Sequence, residues 1–273
     1  MGAFVVLSCL EAAAAKPVFL AQRRLSRQAR AAYDKAGFSA CAALYFQAGE
    51  GYSAACCEAR AGHADEAFAA LERDAAKGQT KASDIEADAD LATLRGDSRF
   101  PKLVAKFGAS YEARAATLNR ELLELYEQDQ AERQQQTPGP GLTEHDAERR
   151  ARGAQLVAEG RAKVSDDYFH AAMLMQHGET SADFQQARDW AMKAVELDAH
   201  NDLARWLVAA ATDRKLMTEK KPQLYGTQYS GDASTGGMMK LWKVDPKVTD
   251  AERARWNVPS LREAKEREAQ MRR

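Results

Sequence analysis

The chain has 273 residues, of which 45% are hydrophobic and 29% charged, a balance that favours packed domains over disorder. Lys and Arg number 39 against 40 Asp and Glu, so no basic excess points to a nucleic-acid partner. No apolar run reaches the roughly 18 residues that a transmembrane segment requires. With only 7 prolines and 17 glycines, and helical periodicity in nearly every segment, the sequence predicts an all-α protein.

Residues 1–15 have the features of a short export signal. Ala3 to Leu10 supplies an apolar core, and Ala13 to Ala15 supplies a small-residue cleavage site before Lys16. The alternative is that this stretch is the ordinary first helix of a cytosolic protein. The first interpretation makes the protein periplasmic or secreted, and the second makes it cytoplasmic.

Residues 16–108 contain a pair of short helices with small residues on their facing sides. The pair covers Gly51 to Gly78, with an A-G-H-A-D-E-A-F turn and a final A-x-x-G. It resembles a tetratricopeptide repeat. The following Asp88 to Phe107 resembles the segment that often ends such arrays in bacterial proteins. The resemblance implies helical hairpin repeats, an α-solenoid-like surface for a protein or peptide partner.

The chain has four cysteines, Cys9, Cys41, Cys56 and Cys57. None forms a C-x-x-C pair, and adjacent cysteines within a helix are a poor arrangement for a disulfide or for zinc. We interpret them as small apolar residues in tight helix packing.

Residues 109–273 are predicted to form a helical domain that begins with one long helix, Ala109 to Gln136. Its apolar stripe ends with Asp129 and, one turn later, Arg133. Considered alone, this pattern predicts that the stripe has passed the edge of the core and that both side chains are exposed. A polar, Pro- and Gly-rich loop, 134–142, follows.

Further along this domain, His170 and His177 share a helix face about 10 Å apart along the axis, two turns instead of the single turn that suits one metal ion. We therefore predict that no metal and no cofactor are required. The helix that starts at Leu203 carries Asp213 and Arg214 on its apolar stripe. A short β-hairpin is predicted after it, between Tyr225 and Val244.

Three motifs of the second half are familiar as a set. They are a D-Q-x-x-R helix end at 129–133, a Q-H-G helix end at 176–178, and a Q-x-Y-G-T-Q turn at 223–228. Together they resemble a bacterial domain of unknown function. The resemblance covers about Ala109 to Arg262 and provides candidate site residues without a reaction.

Two interpretations of these polar residues remain open. In the first, they surround a small polar pocket. In the second, they form a structural network that fastens the turn to the helices. The candidate catalytic residues are His177, Asp129 and Asp213. The candidate ligand-binding residues are Gln130, Arg133, Arg214, Gln223, Tyr225, Thr227 and Gln228.

The preferred hypothesis is a helical-repeat binding protein with a small polar pocket. An arginine of the set would hold a polar or carboxylate-bearing ligand. The alternative is a hydrolase or transferase that uses His177 with Asp129 or Asp213. No metal-ligand cluster, phosphate-binding glycine loop or redox motif is present to name a reaction. In either case, we expect the polar residues to converge in space, because mutual pairing avoids the cost of buried unpaired charges.

Overall fold

A computed structural model describes residues 11–135, 141–231 and 239–271 of the chain. Within these residues the chain forms helices, neighbouring helices pack in a row, and a single two-stranded sheet interrupts them. This confirms the predicted all-α class with hairpin-like repeats and a short β-hairpin.

Except for residues 219–249, which include the hairpin, the connections between successive helices are short. Those of the first half are α1 (Glu11–Tyr33), α2 (Phe38–Ala48), α3 (Gly51–Ala61), α4 (Ala64–Ala75), α5 (Ala82–Ala87), a 3₁₀ helix (Ala89–Leu94) and α6 (Phe100–Ala115). Those of the second half are α7 (Arg120–Gln134), α8 (Leu142–Ala158), α9 (Ser165–Gln176), α10 (Ser181–Leu197), α11 (Asp202–Thr218), α12 (Asp250–Arg255) and α13 (Leu261–Met271).

The first compact unit, Leu20–Thr117, is built on helical hairpins. Gly49 and Gly62 end α2 and α3 in the left-handed conformation, with φ of 80° and 82°. Glycine adopts this conformation without the steric cost of a Cβ atom, so each helix can stop and reverse within two residues. Gly62 thus ends α3, the first helix of the pair that resembles a tetratricopeptide repeat.

A disulfide joins Cys41 of α2 to Cys57 of α3. The prediction that the cysteines serve only as small packing residues is therefore wrong for this pair. Adjacent residues on a helix point about 100° apart, so Cys57 can face α2 while Cys56 faces a different neighbour. Cys56 is a buried free thiol in the core of this unit.

The predicted single helix from Ala109 to Gln136 is also wrong, since α6 ends at Ala115 and α7 begins at Arg120. The side chain of Asn119 accepts a hydrogen bond from Leu122 N and so caps α7, which makes a fresh helix start favourable at this point. The two compact units divide between Thr117 and Leu118, whereas the expected boundary at 108/109 falls inside α6.

The second compact unit contains Leu118 onward, and α9 is its central helix, packing against α7, α8, α10 and α11. Gly153 of α8 permits the close approach of α8 to α9, because a Cβ at this position would lie 2.9 Å from Leu174 Cδ1. Leu207 and Val208 of α11 are buried against α9 and α10. This arrangement brings the C-terminal ends of α7 and α9 together.

The predicted hairpin between Tyr225 and Val244 is confirmed. Its strands, β1 (Tyr229–Ser230) and β2 (Lys240–Leu241), pair antiparallel. A further bridge joins Gln223 to Val244. The Q-x-Y-G-T-Q turn directly precedes β1 and is hydrogen-bonded to Asp213 of α11.

Most of the predicted export signal, and the centre of the predicted loop 134–142, lie outside the described residues. None of the helices that the structure describes has the length and apolar character needed to cross a membrane.

Candidate functional site

The first group of predicted site residues lies where the ends of α7 and α9 meet. Asp129 is only 1% exposed, and its Oδ1 lies 2.9 Å from His177 Nδ1. Gln130 Nε2 donates to the other carboxylate oxygen at 2.7 Å. Arg133 Nε donates to His177 Nδ1 at 3.0 Å. We call these four residues the histidine cluster.

The expectation that Asp129 and Arg133 are both exposed is therefore wrong. Asp129 lies one turn beyond Tyr126, whose ring stacks on the His170 ring with 4.5 Å between centroids. The buried face of α7 thus continues to its last turn. The Arg133 side chain is 24% exposed and so lies at the edge of the core.

His177 presents one ring nitrogen to the protein and the other outward. Nδ1 cannot serve both neighbours in one state, because it must be protonated to donate to Asp129 and unprotonated to accept from Arg133. No partner for Nε2 is found among the described residues, and the side chain is 17% exposed. Nε2 is thus the ring atom available to solvent or to a ligand.

The histidine cluster continues into a charged network that the sequence analysis missed. Arg133 Nη2 donates to Asp146 Oδ2 at 2.7 Å, and Arg149 Nη2 donates to Asp146 Oδ1 at 2.8 Å. Arg149 Nη2 also donates to Glu132 Oε2 at 2.6 Å. Burial opposes ionisation of Asp146, but the hydrogen bonds from the two arginines outweigh it and lower the pKa of this carboxyl.

A sequence signal for this network existed. The buried residues of α8 are Asp146, Arg149, Gly153 and Leu156, at steps of three, four and three residues. These steps trace one helix face. Asp146 and Arg149 lie on the face that also carries the buried Leu156, and this pattern indicates a buried ion pair.

The second group lies at the end of α11 and holds the 223–228 turn to this helix by hydrogen bonds. Asp213 is 0% exposed. Its Oδ1 accepts from Leu224 N at 2.8 Å and Tyr225 N at 3.0 Å. Its Oδ2 accepts from Thr227 N at 3.0 Å and Thr227 Oγ1 at 2.8 Å. Both oxygens are therefore occupied by the turn, which leaves Asp213 without an open lone pair for a substrate.

The remaining turn residues stabilise the same loop through hydrogen bonds and packing. Gln223 Nε2 donates to the carbonyl oxygens of Gln228 (3.0 Å) and Trp242 (2.8 Å), while Gln223 Oε1 accepts from Gln228 N at 2.9 Å. The Tyr225 ring packs on the core of this unit, and burial raises its pKa. Arg253, which the sequence analysis also missed, is 1% exposed and donates to the Tyr225 carbonyl at 3.1 Å.

Arg214 joins the two groups. Its Nη1 donates to the carbonyl oxygen of Gln176, the residue before His177, at 2.8 Å. Its Nε donates to Gln228 Oε1 at 3.3 Å. Burial lowers the pKa of Arg214, and the positive charge of Arg133 lowers it further. The predicted residues thus come together as two hydrogen-bonded groups with Arg214 between them.

One group of side chains in the first compact unit could hold a metal ion. Ligand atoms of Cys56, Asp88 and Asp90 lie within 4.8 Å of one another. Tyr52 Oη donates to Asp88 Oδ2 at 2.7 Å, and Tyr33 Oη donates to Asp90 Oδ1 at 2.6 Å. Asp88 Oδ1 also accepts from Asp90 N at 2.9 Å, which holds these two residues close together.

Comparison with family models, with curated proteins and with solved structures found no match to this chain. A functional conclusion must therefore come from the geometry of the site itself.

Proposed function

We propose that the protein is a non-enzymatic helical-repeat binding protein whose C-terminal unit holds a small carboxylate-bearing ligand beside Arg214, Arg133 and His177. Arg214 carries this proposal. Its guanidinium is largely removed from water, and no carboxylate partner for it is found among the described residues. An incompletely compensated buried charge is costly, and a ligand carboxylate would supply the missing counter-ion.

The surroundings of Arg214 support an anionic ligand. Arg150 Nη1 donates to the His177 carbonyl at 3.0 Å, so guanidinium groups cap successive carbonyls at the end of α9. His177 Nε2 has no protein partner in the part of the chain that the structure describes, so it could donate to a ligand oxygen. Guanidinium groups also match carboxylates in shape, through paired hydrogen bonds.

The candidate residues of the turn have a supporting role in this proposal. Gln223, Thr227 and Gln228 form hydrogen bonds with one another and with Asp213. Gln228 Oε1 in turn orients Arg214. These residues therefore place the guanidinium, and the ligand contacts fall to Arg214, Arg133 and His177.

A thermal-shift titration tests the proposal. The probes are acetate, succinate and citrate, and the signal is tryptophan fluorescence during unfolding. A ligand that binds the folded state raises the unfolding temperature with its concentration. We expect this rise in the wild type and a clearly smaller rise in Arg214→Lys, which removes the planar fork but keeps the charge.

Arg253→Lys is the matched control, because Arg253 also donates to backbone carbonyls, those of Tyr225, Leu224 and Val248. It should lower the unfolding temperature but keep the response to carboxylates. An equal response in Arg214→Lys and wild type, or no response to any probe in the wild type, would contradict the proposal.

A hydrolase or transferase is the second candidate function. The buried Asp129 holds His177 by Nδ1 and leaves Nε2 able to exchange a proton, as general base catalysis requires. However, no Ser, Thr or Cys side chain in the described ranges hydrogen-bonds to His177. Hydrolysis of p-nitrophenyl acetate that is lost in His177→Gln and Asp129→Asn would favour this candidate over the binding protein.

The first compact unit is the proposed surface for a protein or peptide partner, since arrays of helical hairpins commonly present such surfaces. Phe46 of α2 is 38% exposed and is therefore a suitable position for a crosslinking probe of partner contact. A photo-crosslinking residue at Phe46 should capture a discrete partner in cells. The same residue at Leu203, 57% exposed in the other unit, should not.

We also propose that the protein is exported. The Cys41–Cys57 disulfide supports this, because stable disulfides form mainly in oxidising compartments. Thiol alkylation of whole cells without reductant should leave this pair unmodified. If the freshly prepared protein is unfolded without reductant and both cysteines are then fully alkylated, a cytoplasmic location is indicated instead.

A further inference from the structure

A groove of about 530 Å³ lies between α7 and α8, within the size range of small-molecule sites. None of its lining residues is Arg214 or belongs to the turn, so it is distinct from the proposed site above. Its lining residues are Leu125, Gln128, Ala131, Glu132, Gln135, His145, Glu148, Arg149 and Arg152.

Arg149 is the buried polar side chain of this groove, at 7% exposure. Its Nη2 is occupied by Glu132 and Asp146. Its Nε is buried and has no hydrogen-bond partner among the described residues. Buried N–H groups are nearly always paired, because an unpaired one loses its hydrogen bond to water without replacement. A residue that lines the groove therefore carries an unsatisfied buried donor on its charged group.

The partner that Arg149 lacks is a second carboxylate oxygen. Nε–H and one Nη2–H lie parallel on the same edge of a guanidinium and match the two oxygens of one carboxylate. Glu132 reaches only Nη2, and its side chain is 28% exposed. Glu132 can therefore swing toward solvent at low cost and keep its contact with His145, 2.8 Å away.

We propose that the groove binds an organic monocarboxylate, whose two oxygens displace Glu132 and bridge Nε and Nη2 of Arg149. The apolar surface of Leu125 and Ala131 suits an organic body on such a ligand. Arg152 is already bound on both Nε and Nη2 by Glu121, at 2.5 and 2.8 Å. Glu148 adds a negative charge to the lining. A phosphate-rich or multiply charged ligand would meet too few free cations here.

Benzoate and benzamide provide the test, because they share a shape and differ in the carboxylate. The signal is the Arg149 Nε–H resonance in nuclear magnetic resonance spectra, which reports on this site alone. Benzoate should shift this resonance saturably and bind at least about tenfold more tightly than benzamide, as expected for a charge-assisted pair. Sodium chloride at matched ionic strength should produce no saturable shift.

Three variants sharpen the result. Glu132→Gln weakens the internal competitor, so benzoate affinity should increase several-fold. Arg149→Lys lacks the paired edge and should lose binding, followed through the His145 ring resonances. Arg188→Lys, at an exposed ion pair on α10, should leave binding unchanged.

The proposal is overturned by an unsaturable shift, by equal affinity for benzoate and benzamide, or by weaker binding in Glu132→Gln. Benzoate affinity in Glu132→Gln tests the proposed binding even where Arg149→Lys fails to fold. Arg214→Lys should not alter the Arg149 shift, so failure here and failure of the proposed function are distinguishable.

Discussion

Asp213→Asn should destabilise the C-terminal unit strongly, because this carboxylate organises the whole turn. Its two oxygens accept from the backbone N–H groups of Leu224, Tyr225 and Thr227 and from the Thr227 hydroxyl. All of these partners donate in the observed geometry. An asparagine keeps one acceptor oxygen and turns a donating NH₂ group toward the other donors.

The magnitude follows from the number of donors left unsatisfied. One or two buried N–H groups would lose their acceptor, at roughly 1–3 kcal/mol each. Part of this loss is offset, because burial raises the pKa of the Asp213 carboxyl and asparagine carries no charge to desolvate. We therefore expect a net loss of about 2–4 kcal/mol in the free energy of unfolding. Thr227→Val removes only the hydroxyl and should cost about 1 kcal/mol.

Tryptophan fluorescence during urea unfolding measures this loss selectively. All 4 tryptophans lie beyond residue 117, so the signal reports the C-terminal unit. Asp189→Asn, at a half-exposed surface position, is the control and should shift the free energy by less than about 0.5 kcal/mol. A loss in Asp213→Asn no larger than that of the control would refute the view that this carboxylate holds the turn.

Three further predictions concern stability. Gly178→Ala should cost about 1–3 kcal/mol in the same fluorescence assay, because the new Cβ would lie 2.4 Å from Asp183 Cβ; a neutral result would mean that this turn can relax. Reducing the Cys41–Cys57 disulfide should lower the stability of the first unit by about 3 kcal/mol in circular dichroism, and leave the fluorescence midpoint unchanged. Burial opposes ionisation of Asp146, but hydrogen bonds from its two arginine partners outweigh it and lower its pKa, so its contribution is complete above the ordinary value of 3.8 and is lost as the pH falls below it. Asp146→Asn should therefore be less stable at neutral pH and lose less stability on acidification, and an unchanged acid profile would contradict this.

The fold was largely predictable because its signals are local. Gly49 and Gly62 each follow an apolar helical segment and end their helices in the left-handed conformation, which glycine adopts at little steric cost. The break at Asn119 was missed, although an asparagine three residues before a buried stripe is a recognised helix start. The Cys41–Cys57 bond was missed for a different reason: it depends on the packing of two helices, and spacing along the chain does not show it.

The site was only partly predictable. Asp129, His177, Asp213 and Arg214 could be selected as charges and polar groups on buried stripes, and all four belong to the observed network. What each one binds could not be predicted, since hydrogen-bond partners come from separate helices. Arg253 is the extreme case, because its acceptors include three main-chain carbonyl oxygens beside the Asp250 carboxylate, and main-chain atoms leave no trace in a sequence.

The structural and functional interpretations of the polar residues are connected through Arg214. A guanidinium binds a carboxylate tightly when it is already fixed in the bound geometry, because little side-chain freedom is then lost. Arg214 is fixed by the Gln176 carbonyl and by Gln228 Oε1, and Gln228 is itself fixed by Gln223. The network that stabilises the turn thus also pre-organises the cation. Gln228→Leu frees Arg214 without removing its charge. This variant should therefore weaken carboxylate binding by more than any loss of folded protein accounts for. Equal binding by this variant and the wild type would show that the turn is only structural.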